Sequence, residues 1–243
     1  MSKVAFITGG NRGIGFETAK ALGAQGINLI IGCRVLAKGQ SAAKELQGMG
    51  FNAEAIAYDA SDENSTDGVY NYIEQKYGEL DILINNAGMI AEDLVGHNSS
   101  ISVSQSVLKE TFNTNLFAVV ALTQKLLPLL MKSVAGRVVN LSSIVGSLTI
   151  QSMENSPIDA AKAFAYNASK TALNAYTIHL AHELKDTKIK VNSAHPGWVK
   201  TELGGPYAPM EVADSYKTSL RLATLDDHGP TGGFFHEADT MPW

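Results

Sequence analysis

Short apolar segments recur along this chain, each followed by a longer stretch of helical period, and that rhythm limits the fold more than any other feature. Val4–Thr8, Asn28–Gly32, Ala53–Tyr58, Ile82–Asn85, Arg137–Leu141 and Lys190–Ala194 read as strands. Most are apolar on both faces, as a parallel strand covered by helices on both sides must be. Helical periods lie near 13–25, 36–48, 63–77, 106–132, 161–185 and 211–223. Strands and helices that alternate in this way predict an α/β chain with one doubly wound parallel sheet and helices on both faces. With 243 residues, 45% of them apolar, and no Pro/Gly/Ser linker, the chain reads as a single domain.

Charge and cysteine usage exclude several classes of function. The net charge is −5, with no basic stripe to track a phosphate backbone, so nucleic acid is not an expected partner. Cys33 is the one cysteine, so no internal disulfide can form and a reducing compartment suits the chain. The apolar run 118–131 is broken by Gln124, Lys125 and Pro128 and does not read as a membrane span. Met1-Ser2-Lys3 leads into an apolar stretch too short for a signal segment. A cytoplasmic protein is the expectation. His97, His195 and His228 are too dispersed to suggest a metal site.

In a doubly wound sheet, ligands bind beyond the carboxyl ends of the strands. The first such turn is Thr8-Gly9-Gly10-Asn11-Arg12-Gly13-Ile14-Gly15. Its glycines let the backbone approach a pyrophosphate, and the amides of the following helix hold the anion. A site for NAD would place an acidic residue about 20 positions on, at the end of the second strand. That place holds Cys33-Arg34, with no Asp or Glu until Glu45. Arg34 offers a planar cation for a 2′-phosphate, with Arg12 as a second, so NADP(H) is the expected cofactor. The bland alternative is a solvated strand-end charge at Arg34. Cys33 reads as a packing residue.

Tyr166 and Lys170 lie four residues apart in a helical pattern and share one face. A free phenol titrates at about pH 10, too high for easy proton transfer at neutrality. A neighbouring ammonium is expected to lower that value. The strand Arg137–Leu141 ends in Ser142-Ser143, whose hydroxyls could reach a substrate oxygen.

Together with Asn85-Asn86-Ala87-Gly88, Asn115 and Pro196-Gly197, these motifs resemble the short-chain dehydrogenase/reductase family, in family order over almost the full chain. The resemblance implies a Rossmann-type fold and an NADPH-dependent reductase of aldehydes or ketones. Tyr166 would be the proton donor to the carbonyl oxygen, or the base in alcohol oxidation. Lys170 would bind the nicotinamide ribose and lower the tyrosine pKa, and Ser143 would hold the substrate oxygen. Asn115 would position a water that relays protons to Lys170; Asn113 competes for the role, and a structural part in bending the helix is the alternative. Asp59-Ala60 would form the adenine turn, and Asn86, Ala87 and Gly88 would line the adenosine ribose, Asn86 equally well having a mainly structural part. Pro196, Gly197, Val199 and Thr201 would flank the nicotinamide.

The chain departs from the compact branch of the family between Ser143 and Tyr166, which are 23 positions apart. The extra residues, near 150–161, are either part of the substrate mouth or a surface loop. Carbonyl reductases carry a longer insertion at this place, and Thr8–Gly15, Gly136–Ser143 and Gly229–Phe235 look closest to that group. The stretches 90–106 and 201–212 are expected to complete the pocket, the second as a lid, with Ile90, Met153, Trp198 and Tyr207 as apolar walls. A homo-oligomer, dimer or tetramer, is implied by the resemblance; the insertion borders the helices that family dimers pair, so a monomer stays open. Oxidative work as an NADP-linked alcohol or steroid dehydrogenase is a second reading, and a non-catalytic NADP(H)-binding regulator a third.

Overall fold

A computed structural model describes residues 2–62, 64–92, 98 and 100–243. It contains one eight-stranded sheet in the order β3-β2-β1-β4-β5-β6-β7-β8. The strands are β1 (Val4–Thr8), β2 (Asn28–Cys33), β3 (Ala53–Ala57), β4 (Ile82–Asn85), β5 (Arg137–Leu141), β6 (Lys190–Ala194), β7 (Phe234–His236) and β8 (Asp239–Thr240). All neighbours pair in parallel except β7 and β8. The helices are α1 (Gly13–Gly23), α2 (Leu36–Gly48), α3 (Ser65–Tyr77), α4 (Gln105–Phe112), α5 (Ala118–Leu130), α6 (Leu148–Gln151), α7 (Phe164–Glu183) and α8 (Lys217–Ala223). The expected doubly wound parallel sheet is present.

Side chains alternate across each strand, so one strand feeds two cores. On one face Ala5, Ile7, Leu29 and Ile31 meet Ala19 and Leu22 of α1, Leu46 of α2 and Leu222 of α8. On the other, Val4, Phe6, Ile30, Leu83 and Val138 meet Ile73 of α3 and Leu122, Leu126 and Leu129 of α5. A polar seam runs through the second face. Asn85 donates to Asn140 Oδ1 (2.8 Å) and Thr123 Oγ1 (3.0 Å), Asn140 donates to Thr177 Oγ1 (2.9 Å), and Ser193 Oγ lies 2.9 Å from Thr177 Oγ1. Asn85 faces Asn140 in register, and Asn140 faces Ser193. These bonds fix the height of α5 and α7 against the sheet, since slippage would strand buried amides.

Three expectations are corrected. The helix expected over 106–132 is interrupted by a π-turn, Asn113–Phe117, because the buried Asn115 is pulled onto the backbone after β4. The segment 211–223 divides into a 3-10 turn, Val212–Asp214, and α8. Strands β7 and β8 were not expected, and they extend the sheet beyond β6. Helix α7 starts at Phe164, so the insertion holds only α6 and turns.

Candidate active site

The first turn is built for close approach. A Cβ on Gly15 would lie 2.6 Å from both Gly9 O and Asn86 Nδ2, so only glycine fits. Asn86 donates to Thr8 O (2.7 Å), while Thr8 Oγ1 accepts from Asn86 N and Ala87 N, each at 2.9 Å. The Asn86 amide nitrogen thus braces the turn. No side chain caps α1 and no acidic residue stands in its first turn, which leaves the positive end of the helix dipole facing the turn.

Arg12 pairs with Glu202 and lines an open cavity between α1 and α2 together with Asn11, Phe16, Lys38, Ser41, Ala42 and the carboxylate Glu45. Arg34 is exposed at the end of β2 and does not line that cavity. Cys33 is buried, donates to Val35 O (3.2 Å), and its thiol pKa is raised by burial, as expected of a packing residue. Asp59 accepts from Ser61 N (2.9 Å) and Ser61 Oγ (2.8 Å), and Ala60 packs on the neighbouring core.

At the far end of β5, Ser143 opens a 3-10 turn, Ile144–Gly146, on which α7 rests. A Cβ on Gly146 would lie 2.9 Å from the Lys170 backbone, so glycine sets this close packing. It brings Tyr166, Lys170 and Ser143 together. The Ser143 side chain stands near enough to the Tyr166 phenol to lower its pKa, and Lys170 Nζ stands 5.7 Å from the centroid of the Tyr166 ring. Lys170 Nζ donates to Leu141 O (2.8 Å). Both side chains are buried, and here the expected electrostatics are corrected. Burial pushes the Tyr166 phenol up to about 12, with Ser143 opposing, and pulls Lys170 down to about 8. Removing both groups from water disfavours phenolate and ammonium alike.

Asn115 is fully buried and Asn113 exposed. The Asn115 amide accepts from Met89 N and donates to Met89 O, each at 2.9 Å, and reaches Ser169 Oγ at 3.0 Å. Its side chain ties the turn after β4 to α7. A Cβ on Gly88 would lie 3.4 Å from Asn115 Oδ1 and 3.5 Å from Lys170 Nζ, which puts Gly88 over the same cluster.

Pro196, Gly197, Val199 and Thr201 follow β6. Val199 is buried and bridges Met210, Thr201 Oγ1 accepts from Gly204 N (3.0 Å), and Trp198 Nε1 donates to Gly204 O (2.7 Å). A Cβ on Gly13 would lie 3.6 Å from the Thr201 methyl, so this segment reaches back to the first turn.

Residues 3–211 match the sequence model of the short chain dehydrogenases. The chain belongs to the short-chain dehydrogenase family. It is 31% identical to a salutaridine reductase of Papaver bracteatum, over 96% of this chain and 94% of that protein. It is 27% identical to carbonyl reductase [NADPH] 1 of Mus musculus, over 99% and 98%. The crystal structure of an NADPH-bound carbonyl reductase from chicken fatty liver superposes with a TM-score of 0.84 at 26% identity, over 100% of this chain and 99% of that one.

Within this short-chain dehydrogenase, an apolar wall surrounds the tyrosine. Val145, Ile150, Ile158, Ala163 and Tyr166 form one cluster, joined by Ile90, Ile144, Leu203 and Met241. Of the expected walls, Ile90 belongs to it. Met153, Trp198 and Tyr207 are not part of this buried cluster and are exposed, Tyr207 at 91%. The insertion contributes Ile150, Ile158 and Ala161 to this cluster.

Sequence reasoning missed several residues. Glu92 Oε2 accepts from Tyr166 N at 2.9 Å, capping α7 from 74 positions away, a contact no local pattern signals. Lys38 was legible as the next cation after Arg34 on the first turn of α2. Among the described residues no group of three or more His, Cys, Asp or Glu could hold a metal, and no helix is long and apolar enough to cross a membrane. His97 and most of 93–99 lie outside the described residues.

Proposed function

We propose that this oxidoreductase is an NADPH-dependent reductase of aldehydes and ketones, able to run in reverse on alcohols, with Tyr166 as its proton donor. The observation that carries this reading is the meeting of Tyr166, Ser143 and Lys170 at the carboxyl end of β5, against an apolar wall. The residues present suit the cofactor: an uncapped helix start behind a turn with no room for a Cβ at Gly15, and a cavity where the two cations Arg12 and Lys38 outnumber the one carboxylate, Glu45. When bound, NADPH supplies a hydride from nicotinamide C4 to the carbonyl carbon.

This chain's own residues supply the remainder. The Ser143 hydroxyl donates to the carbonyl oxygen and fixes its place beside the phenol. Tyr166 passes its O–H proton to that oxygen as negative charge develops there. Burial keeps the Tyr166 phenol protonated at neutral pH, so the acid form that reduction needs is the one present, though it is a weaker acid than a free phenol. Lys170, pulled down to about 8, exchanges protons near neutrality and would restore the phenol after each turnover, with Asn115 fixing the backbone around it. Glu202, now paired with Arg12, would yield to a 2′-phosphate, a second anion on the same guanidinium. The wall of Ile90, Ile144, Val145, Leu203 and Met241 suits ketones with apolar bulk. Loss of NADPH absorbance with a panel of cyclic and aromatic ketones tests the reading. Turnover by the wild type and none by Tyr166→Phe supports it, and cofactor binding without turnover on any carbonyl would refute it.

A further inference from the structure

His195 is a buried titratable side chain that the chemistry above leaves unused. It follows the last residue of β6, where β5 and β6 part. The β5–β6 ladder ends at Leu141 opposite Ala194, and its last cross-strand bond runs from Ser142 N to Ala194 O (2.8 Å). Beyond that point the imidazole takes over from the backbone: His195 Nδ1 accepts the N–H of Ile144 at 3.3 Å. That N–H belongs to the peptide joining Ser143 to Ile144, so the bond holds the link on which Ser143 turns.

The residue is itself held from several sides. His195 N donates to Phe235 O (2.8 Å), its carbonyl accepts from Thr218 Oγ1 (3.1 Å), and His236 Nδ1 lies 3.0 Å from the same carbonyl. The His236 ring lies over it, with centroids 4.9 Å apart. An imidazole accepting at Nδ1 carries its proton on Nε2 and must be neutral. Burial, with His236 beside it, pulls His195 down to about 3, which keeps the acceptor available at any physiological pH.

We propose that His195 is a positioning residue for carbonyl reduction: through Ile144 N–H it holds the Ser143 hydroxyl against Tyr166. The assignment rests on the reading of Ser143 and Tyr166 given above. Misplacing a group that orients the reacting oxygen slows the chemical step more than it weakens binding elsewhere.

His195→Leu fills the space without an acceptor, while His195→Asn places an amide oxygen close to the position of Nδ1. The expected result is a kcat about tenfold lower in His195→Leu, with NADPH affinity unchanged and KM moved less than kcat. His195→Asn should recover most of that loss. In a Ser143→Ala background, His195→Leu should add nothing, because its effect passes through the serine. Additive losses in the double variant, or NADPH affinity falling in step with kcat, would overturn the assignment in favour of a purely structural histidine. Full activity of His195→Leu beside an inactive Ser143→Ala would end the positioning role alone, whereas full activity of Ser143→Ala would end the reading of the site itself. If the leucine variant does not fold, ¹⁵N NMR of the histidines in the wild-type protein decides: a neutral His195 protonated on Nε2 is expected, and a proton on Nδ1 would overturn the proposal.

Discussion

The Lys170 ammonium stands 5.7 Å from the centre of the Tyr166 ring while donating to Leu141 O, in a setting buried enough to disfavour its charge. Lys170 thus carries a folding cost that its site imposes. Its pKa falls from an ordinary 10.5 to about 8 on folding, so between those values the unfolded chain binds the extra proton. Stability must then rise with pH across that window, by an amount on the order of 3 kcal/mol in full. Comparing unfolding of the wild type with Lys170→Met from pH 7 to pH 10 isolates the effect. The difference should grow with pH above about 8 in favour of the wild type. A difference that stays flat would show that the lysine is well solvated.

Glu92 accepts the N–H of Tyr166 and caps α7, whose own N-cap residue, Ala163, has no side chain to do so. Removing the acceptor in Glu92→Ala should cost about 0.5–2 kcal/mol of stability, the usual loss for a helix start left bare. Glu92→Gln keeps an oxygen at that place and should recover the larger part. Thermal melts of the pair check this, and equal melting temperatures for Ala and Gln would remove the cap.

Arg12 and Lys38 share one cavity, and Arg34 stands outside it. Lys38→Glu and Arg12→Ala should each weaken NADPH binding about tenfold or more while leaving NADH nearly untouched, since only NADPH offers the 2′-phosphate. Arg34→Asp should have the smaller effect of the three. Fluorescence titration with both cofactors gives the answer, and an equal loss for NADH and NADPH would place the phosphate elsewhere.

The sheet was legible because its central strands carry unbroken apolar runs such as Ala5-Phe6-Ile7 and Leu29-Ile30-Ile31, which have no other stable fate than burial between two helical layers. The meeting of Tyr166, Lys170 and Ser143 was legible, because helical spacing and a strand end are local features. What lay hidden depends on contacts distant in sequence. Phe234–His236 becomes a strand only by pairing with β6, and Asn115 breaks its helix only because Met89 awaits its amide. The direction of the Tyr166 shift was hidden too, since spacing gives the neighbour but not the depth at which both side chains lie.

Asn115 is fully buried with its amide engaged at Met89 and Ser169. Asn115→Leu would strand these backbone groups, at about 1–3 kcal/mol for a buried polar group left unpaired, and more than one is involved. Chemical denaturation should show that loss together with a fall in kcat, because the π-turn would lose its anchor beside Lys170. An Asn115→Leu protein as stable as the wild type would mean that the turn after β4 is held by other contacts.

The most direct test sets Tyr166→Phe beside the wild type, measuring NADPH affinity and single-turnover reduction of one good ketone substrate. Removing one buried hydroxyl should leave NADPH bound as before and slow hydride transfer by about a hundredfold to ten-thousandfold, the range for loss of a general acid. Reduction at the wild-type rate by the phenylalanine variant would contradict Tyr166 as the proton donor.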